Sequence, residues 1–186
     1  MSALQLEYTL TEEEFLNYNY YVGWSGPAQR QKRIKFYVGF PLVFLILMIV
    51  VFSGMDISKL KQSSIIMIGT GIVILLLLMK FRLRGVFDKQ AKKMLDQSGR
   101  DTVLSKTNIT VDENGLFGKT KVAEVKYAWT AFQRKEIANN CYYLFINSRQ
   151  AAVIPFSAFQ SPGERERFDA LLLQYLPLKA ELKQFA

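Results

Sequence analysis

The basic residues of this chain are numerous and closely spaced enough to bind a ligand, and they lie in two short clusters. Positions 30 to 35 hold four basic residues and no acidic one, and positions 80 to 93 hold six basic residues and a single aspartate. The whole chain of 186 residues has a net charge of +8, so everything outside the clusters is close to neutral. Closely spaced Lys and Arg side chains bind phosphate groups. The ten residues are Arg30, Lys32, Arg33, Lys35, Lys80, Arg82, Arg84, Lys89, Lys92 and Lys93.

The reactive residue types argue against an enzyme. The chain has one cysteine and no histidine, so it lacks the commonest general base and a common zinc ligand. Cys141 lies in the apolar run CYYLFI, which favours a small core residue in a strand over a nucleophile. We therefore expect no catalytic residue, no metal and no cofactor.

Two apolar runs lie beside the basic clusters. The runs extend from Phe36 to Met55 and from Gln62 to Met79, and neither contains an ionisable side chain of the Asp, Glu, Lys or Arg type. As helices they would be roughly 30 and 27 Å long, close to the thickness of the hydrocarbon layer of a bilayer. The runs predict a two-helix transmembrane hairpin, with residues 56–61 as a short external loop.

The basic residues that flank both runs predict that the two chain ends are cytoplasmic, because loops rich in Lys and Arg resist translocation. This places the protein in the cell membrane as a two-pass protein. The clusters themselves allow two interpretations, a topology signal alone or a topology signal that also binds anionic lipid headgroups. A nucleic-acid partner is not expected, since the excess positive charge is confined to the membrane-proximal segments.

The N-terminal segment predicts a strand followed by a helix. Leu4, Leu6 and Tyr8 alternate with polar residues, and Thr11 followed by Glu14 forms a capping box at the start of a helix. The aromatic residues that follow could lie at the level of lipid headgroups or pack against the rest of the protein. These residues are Tyr18, Tyr20, Tyr21 and Trp24.

Beyond Gly99 the pattern changes from helical to alternating. Short apolar segments separated by turns such as Asn139-Asn140 predict a meander of strands from Val103 onward. Ser161, with Pro162 and Glu164 after it, predicts the start of a final amphipathic helix. The predicted domain is a bent antiparallel sheet, or partial barrel, closed by this C-terminal helix.

The predicted fold class is thus a membrane protein of α+β type, with a two-helix transmembrane hairpin and a small cytoplasmic antiparallel domain. The N-terminal strand could complete the sheet of that domain. The predicted divisions are residues 1–29 (strand and helix), 30–55 (basic flank and first span), 56–61 (loop), 62–80 (second span), 81–98 (helical stalk), 99–178 (β-rich domain with its helix) and 179–186 (tail).

The order of these segments resembles the YcxB-like family of small bacterial membrane proteins. The resemblance depends on Tyr127-Ala128-Trp129 and on the Ile154-Pro155 segment that leads to Phe159 before the last helix. It implies a C-terminal domain shaped like a pleckstrin-homology domain, and it implies no activity or catalytic residue. We expect the motif residues Tyr127, Trp129, Pro155 and Phe159 to be structural, with Pro155 ending an edge strand.

Two functional interpretations follow. The first is a membrane-tethered cytoplasmic binding or regulatory module that recognises a protein segment or an anionic lipid. The alternative is an auxiliary or oligomeric subunit of a membrane transport system. The expected partners are the anionic headgroups of the bilayer and, in addition, a protein partner or further copies of the chain.

Overall fold

A computed structural model describes residues 3–52 and 62–176, which form seven strands and five α-helices. The predicted loop 56–61 and tail 179–186 lie outside the described residues. The strands are β1 (Leu4–Thr9), β2 (Lys106–Asp112), β3 (Gly115–Lys119), β4 (Glu124–Ala128), β5 (Arg134–Ala138), β6 (Cys141–Phe145) and β7 (Ala151–Pro155). The helices are α1 (Glu12–Tyr20), α2 (Arg30–Phe52), α3 (Gln62–Ser98), α4 (Arg100–Val103) and α5 (Pro162–Tyr175).

The strands form two antiparallel sheets, where the sequence predicted one bent sheet. The first sheet has the order β1-β2-β3-β4, and the second has the order β5-β6-β7. The division falls at Trp129, because β4 ends at Ala128 and residues Trp129–Ala131 form a 3₁₀ turn. The segment YAWTAF at residues 127–132 is therefore the end of a strand followed by a corner.

The N-terminal strand completes the first sheet. β1 pairs with β2 in antiparallel register, with Leu4 opposite Val111 and Thr9 opposite Lys106. Its alternation decides which face is buried: Leu4 and Leu6 are 5% and 3% exposed, and Gln5 between them points outward. The Tyr8 hydroxyl also donates a 2.6 Å hydrogen bond to the carbonyl of Val153, which links this strand to β7.

One apolar core lies between the two sheets and α5. Its fully or nearly fully buried members include Val111 and Leu116 from the first sheet, Leu144 and Ile154 from the second, and Phe168 from the helix. α5 begins as predicted, with the Ser161 hydroxyl accepting a hydrogen bond from the amide of Glu164. Helical spacing then places one side of α5 over the core.

Two turns show why the strand boundaries could be predicted. Asn139 and Asn140 have φ values of 51° and 57°, the paired left-handed conformation of the tight turns that join antiparallel strands. Gly115 has φ 147°, and a Cβ atom there would lie 2.0 Å from the carbonyl oxygen of Tyr127. Only glycine therefore fits at the start of β3.

α1 lies between the second sheet and α3. Tyr18 and Tyr21 pack on the outer face of β6 against Tyr143, at ring-centroid distances of 5.5 and 5.1 Å. On the α3 side, Ala91 and Leu95 are buried, and their spacing of four residues places them on one face of the helix. The capping box at Thr11 is confirmed, because its hydroxyl and the Glu14 carboxylate each bond to the backbone amide of the other residue.

The predicted transmembrane hairpin is not supported. Among the residues that the structure describes, no helix combines the length and apolar composition that a membrane span requires. α2 begins with a basic segment from Arg30 to Lys35 and has Pro41 inside its apolar part. α3 runs without interruption from its apolar first half into the charged segment that ends at Ser98. The membrane part of the predicted fold class is therefore wrong, and the fold is α+β with two antiparallel sheets.

Candidate functional site

Several of the ten predicted basic residues join elements of the protein to one another. Arg33 on α2 donates to the carbonyl oxygens of Trp24 and Gly26. Arg84 on α3 pairs with Asp88 at 3.1 Å, donates to the amide oxygen of Asn17 at 2.6 Å, and lies 4.7 Å from the ring centroid of Tyr20. These contacts hold the chain after β1 against the two long helices.

Lys92 has a similar internal role. Its ammonium group lies 3.3 Å from a carboxylate oxygen of Glu12, and Arg100 contacts the other oxygen of the same carboxylate at 2.6 Å. The two cations hold the pKa of Glu12 below its usual value, through hydrogen bonding and charge. Glu12 is in the first turn of α1, so the contacts fix the start of that helix on α3.

The remaining basic residues are differently placed. Within residues 3–52 and 62–176, five of them are exposed and make no side-chain hydrogen bond or ion pair. We call this set the open cations. It consists of Arg30, Lys35, Arg82, Lys89 and Lys93. Nothing is described of the Lys80 side chain.

Exposed apolar side chains lie on the same two helices as the open cations. On α2, Ile34, Val38 and Val43 are 50%, 61% and 56% exposed. On α3, Val73 and Val86 are 57% and 61% exposed. Others of the same kind on these helices are Phe40, Leu42, Leu45, Ile46, Ile74, Leu77 and Leu78. Water-exposed apolar surface of this extent typically marks an interaction site.

An aromatic cluster fixes the base of the two helices. Trp24 is 5% exposed, and its ring lies 5.2 Å from Phe36 of α2 and 6.2 Å from Phe87 of α3. Tyr20 contacts the same Phe87 ring at 5.7 Å. Of the two interpretations of the N-terminal aromatics, packing within the protein is the one observed for Tyr18, Tyr21 and Trp24.

A cleft of about 380 Å³ opens between α1 and α3. We call it the α1–α3 cleft. Among the described residues that line it, the charged side chains are Lys32 and Arg149, both basic, and none is acidic. The other lining residues are the amides Asn19, Gln29 and Gln90, together with Tyr18, Val22, Gly23, Phe87, Ala91 and Met94. Cations beside amide donors over an apolar floor can bind an anionic group that carries an apolar portion.

Sequence reasoning found only part of this cleft. Helical spacing places Phe87, Ala91 and Met94 on one face of α3, and Lys32 was one of the predicted basic residues. Arg149 was missed, because it follows the turn at Asn147 and lies more than a hundred residues from Lys32 in the chain. The Tyr18 hydroxyl places this turn beside α1 by donating to the Arg149 carbonyl at 2.7 Å and accepting from the Ala151 amide at 3.0 Å.

A buried ion pair was also missed. Arg134 and Glu136 on β5 pair at 2.9 Å, with side chains 9% and 11% exposed. The guanidinium of Arg134 lies 3.6 Å from the ring centroid of Phe145. Burial and the nearby Glu136 carboxylate raise the pKa of Tyr21 on the covering turn. The signal in the sequence was the alternation of opposite charges two residues apart, which places both on one face of a strand.

Cys141 is fully buried on the outer face of the second sheet, under the turn that follows α1. Burial raises the pKa of its thiol to about 11, which disfavours the thiolate needed for nucleophilic attack. No group of three or more metal-ligating His, Cys, Asp or Glu side chains is found in the described part of the chain.

The four motif residues are structural. Trp129 is 6% exposed, donates to the Asp112 carbonyl at 2.9 Å, and stacks on Tyr175 of α5. Pro155 is buried at the end of β7, which is an edge strand as predicted. The partly buried Tyr127 and Phe159 pack against the same core.

The comparisons with known proteins agree with part of this description. A family model for the YcxB-like protein matches residues 111–172, which run from the end of β2 into α5. The matched segment includes all four motif residues. No curated protein and no solved structure matches the chain. Residues 111–172 are therefore similar to the YcxB-like protein family.

Proposed function

We propose that this protein is a non-catalytic binding module that associates with anionic phospholipid at the cytoplasmic face of the cell membrane. The observation that carries the proposal is that α2 and α3 each have both exposed apolar side chains and open cations. Apolar side chains favour contact with acyl chains, and Lys and Arg near an anionic headgroup contribute about 1 kcal/mol each.

The arrangement of charge along the helices supports this assignment. On α2, the open cations Arg30 and Lys35 lie near the start of the helix, and exposed apolar side chains occur from Ile34 to Ile46. On α3 the order is reversed, with apolar exposure from Val73 and the cations Lys89 and Lys93 afterwards. Both helices therefore carry their basic residues at the end nearest the sheets, as expected if that end meets headgroups.

We also infer a pleckstrin-homology-like arrangement for the sheets. The inference is supported by two antiparallel sheets of four and three strands and by the C-terminal helix α5 on their shared core. β1 belongs to the first of these sheets, so the chain before α2 and the chain after α3 meet in one domain. That domain would lie on one side of the lipid surface.

The test measures how the full-length protein distributes between two vesicle populations. The protein, purified in mild detergent, is diluted into equal amounts of phosphatidylcholine vesicles and vesicles of equal parts phosphatidylcholine and phosphatidylglycerol, which are then separated by density. Contact with acyl chains is common to both populations, so the distribution ratio reports the headgroup contribution. We expect the parent protein to prefer the anionic vesicles.

The variant Lys35→Gln/Lys89→Gln/Lys93→Gln should lower this preference about a hundredfold, because three cations at about 1 kcal/mol each are removed. The preference of the parent should also weaken as salt shortens the Debye length. The matched control is Lys106→Gln/Lys119→Gln/Lys126→Gln, which removes the same charge from the strands of the first sheet and not from either helix. Equal losses in the two variants, or a parent without preference, would contradict the proposal.

Peptide binding by strand addition is the second candidate. β4 is an edge strand of the first sheet. Val125 on β4 is 37% exposed, and Val122 just before β4 is 64% exposed. An edge strand with exposed apolar side chains can pair with an extended segment of another protein. If the parent protein shows no preference for the anionic vesicles, that result would favour this candidate.

A further inference from the structure

We propose that the α1–α3 cleft is a binding site for the headgroup of one anionic phospholipid molecule. The inference rests on the proposed function and deepens it, because it assigns a specific site in addition to a general attraction between surfaces. The bound headgroup phosphate lies between Lys32 and Arg149, and the glycerol and upper acyl portion contact Val22, Phe87 and Met94.

The charge of the lining selects an anion. Lys32 and Arg149 are the charged residues in the described part of the lining, and no carboxylate in that part competes for them. The guanidinium of Arg149 makes no hydrogen bond or ion pair with other described residues, because only its backbone groups are engaged. Lys32 makes one long contact of 3.4 Å to the carbonyl of Gly23, so its ammonium can still donate to a ligand.

The neighbouring amides provide further donors. Asn19, Gln29 and Gln90 lie on three different elements around the same opening. Side-chain amides can donate to phosphate or ester oxygens and to the hydroxyl groups of a glycerol headgroup. A ligand with several oxygens fits this set better than a simple monovalent anion does.

The apolar lining indicates an amphiphile. Phe87, Ala91 and Met94 form one side of the cleft on α3, and Val22 faces it from the turn after α1. The lining borders the exposed apolar surface of α3, because Val86 precedes the lining residue Gln90 by four residues on the same helix face, and Met94 of the lining is itself 46% exposed. A lipid seated in the cleft can therefore keep its chains on that surface.

A close approach shapes the cleft. A Cβ atom at Gly23 would lie 2.5 Å from the Phe87 ring, so the absence of a side chain lets the turn after α1 come close to α3. The same glycine supplies the carbonyl that Lys32 contacts. The position of the cation thus depends on the turn that also forms one wall of the cleft.

The experiment titrates the full-length protein, held in zwitterionic micelles, with short-chain phosphatidylglycerol. Tryptophan fluorescence is a suitable readout, because Trp24 contacts Phe87 in the wall of the cleft. Short-chain phosphatidylcholine and inorganic phosphate are titrated in parallel. We expect phosphatidylglycerol to bind, phosphate to bind more weakly because it lacks the apolar part, and phosphatidylcholine to bind weakest.

The variant Lys32→Gln/Arg149→Gln should weaken phosphatidylglycerol binding about 30-fold, from two cation contacts. The control Lys121→Gln/Lys126→Gln removes the same charge from β4 and the turn before it, outside the cleft, and should weaken it less than about threefold, since screening limits distant charges. All four side chains are exposed or on helix surfaces, and thermal unfolding followed by circular dichroism checks that both variants fold like the parent.

The outcomes separate this inference from the proposed function. Equal weakening in the two variants would overturn the cleft as a site, even if the vesicle preference described above is present. Phosphate binding as tight as phosphatidylglycerol would also overturn it, in favour of a free-anion site. A parent without vesicle preference, combined with selective binding in the cleft, would instead contradict the proposed function and leave a site for a dispersed amphiphile.

Discussion

At the scale of single residues, the same side-chain type has different roles that depend on its partners. Arg134 and Glu136 are nearly buried and form an ion pair at 2.9 Å. Lys119 and Glu124 form a contact of the same kind between β3 and β4, but their side chains are 59% and 54% exposed. Because water screens the second pair, only the first should contribute strongly to stability.

Glu136→Gln should lower the free energy of unfolding by about 3 kcal/mol, because it leaves the buried Arg134 cation without its carboxylate. Glu124→Gln is the matched control and should cost less than about 0.5 kcal/mol. Urea unfolding measures both, with an unchanged m-value as the sign that the folded state is intact. Equal costs for the two substitutions would show that burial does not set the strength of the Arg134 pair.

At the scale of elements, β6 is the centre of the domain. Every residue from Cys141 to Phe145 is fully buried, because one face of the strand lies on the core and the other is covered by Tyr18, Tyr21 and Val22. Burial raises the pKa of the Cys141 thiol from 9.0 to about 11 and that of Tyr143 from 10.0 to about 12. Both groups are neutral when protonated, so the folded state holds their protons more tightly than the unfolded chain.

Stability should therefore be complete below pH 9 and fall as the pH rises to about 11 through the range of Cys141. One proton lost only on unfolding corresponds to a decrease of about 1.4 kcal/mol per pH unit. Urea unfolding of the parent and of Cys141→Ser between pH 8 and pH 11 checks this, and the variant should show a shallower decrease. A decrease of the same slope in both proteins would assign the alkaline sensitivity to the tyrosines alone.

At the scale of the whole molecule, the N-terminal segment links the sheets to the long helices. β1 is part of the first sheet, and α1 then lies between the second sheet and α3. Because β1 ends opposite the start of β2, the two strands are related like a hairpin whose connection contains α1, α2, α3 and α4. The YcxB-like match at residues 111–172 thus covers only part of the folded unit.

A fragment of residues 99–186 should be less stable than the intact chain and poorly soluble, because it exposes the edge of β2 and loses Leu4 and Leu6 from the core. Joining residues 3–10 to residue 105 by a short glycine-rich loop should restore much of the stability, since it replaces β1 in its observed register. Urea unfolding compares the three proteins. A fragment that unfolds as cooperatively as the intact chain would show that β1 is dispensable.

The sequence by itself determined the local features, because each depends on residues close together in the chain. The alternation in β1, the Asn139-Asn140 turn, the Thr11 capping box and the cap of α5 at Ser161 were all predicted and are present. Their physical cause is short in range: side-chain period, φ preference and the unsatisfied amides at a helix start.

Only the tertiary structure decided what depends on distant residues. The corner at Trp129 divides the sheet because the indole bonds to the Asp112 carbonyl and stacks on α5. The composition of an apolar run does not determine how long the helix is or whether it continues into charged residues. The membrane hairpin was predicted from composition alone, and that prediction was wrong. The basic clusters could be located from the sequence. The role of each cation depends on packing between elements, because local sequence does not encode distances between residues far apart in the chain. Packing decides which cations are open, which join α1 to α3, and which lie at the cleft with Arg149.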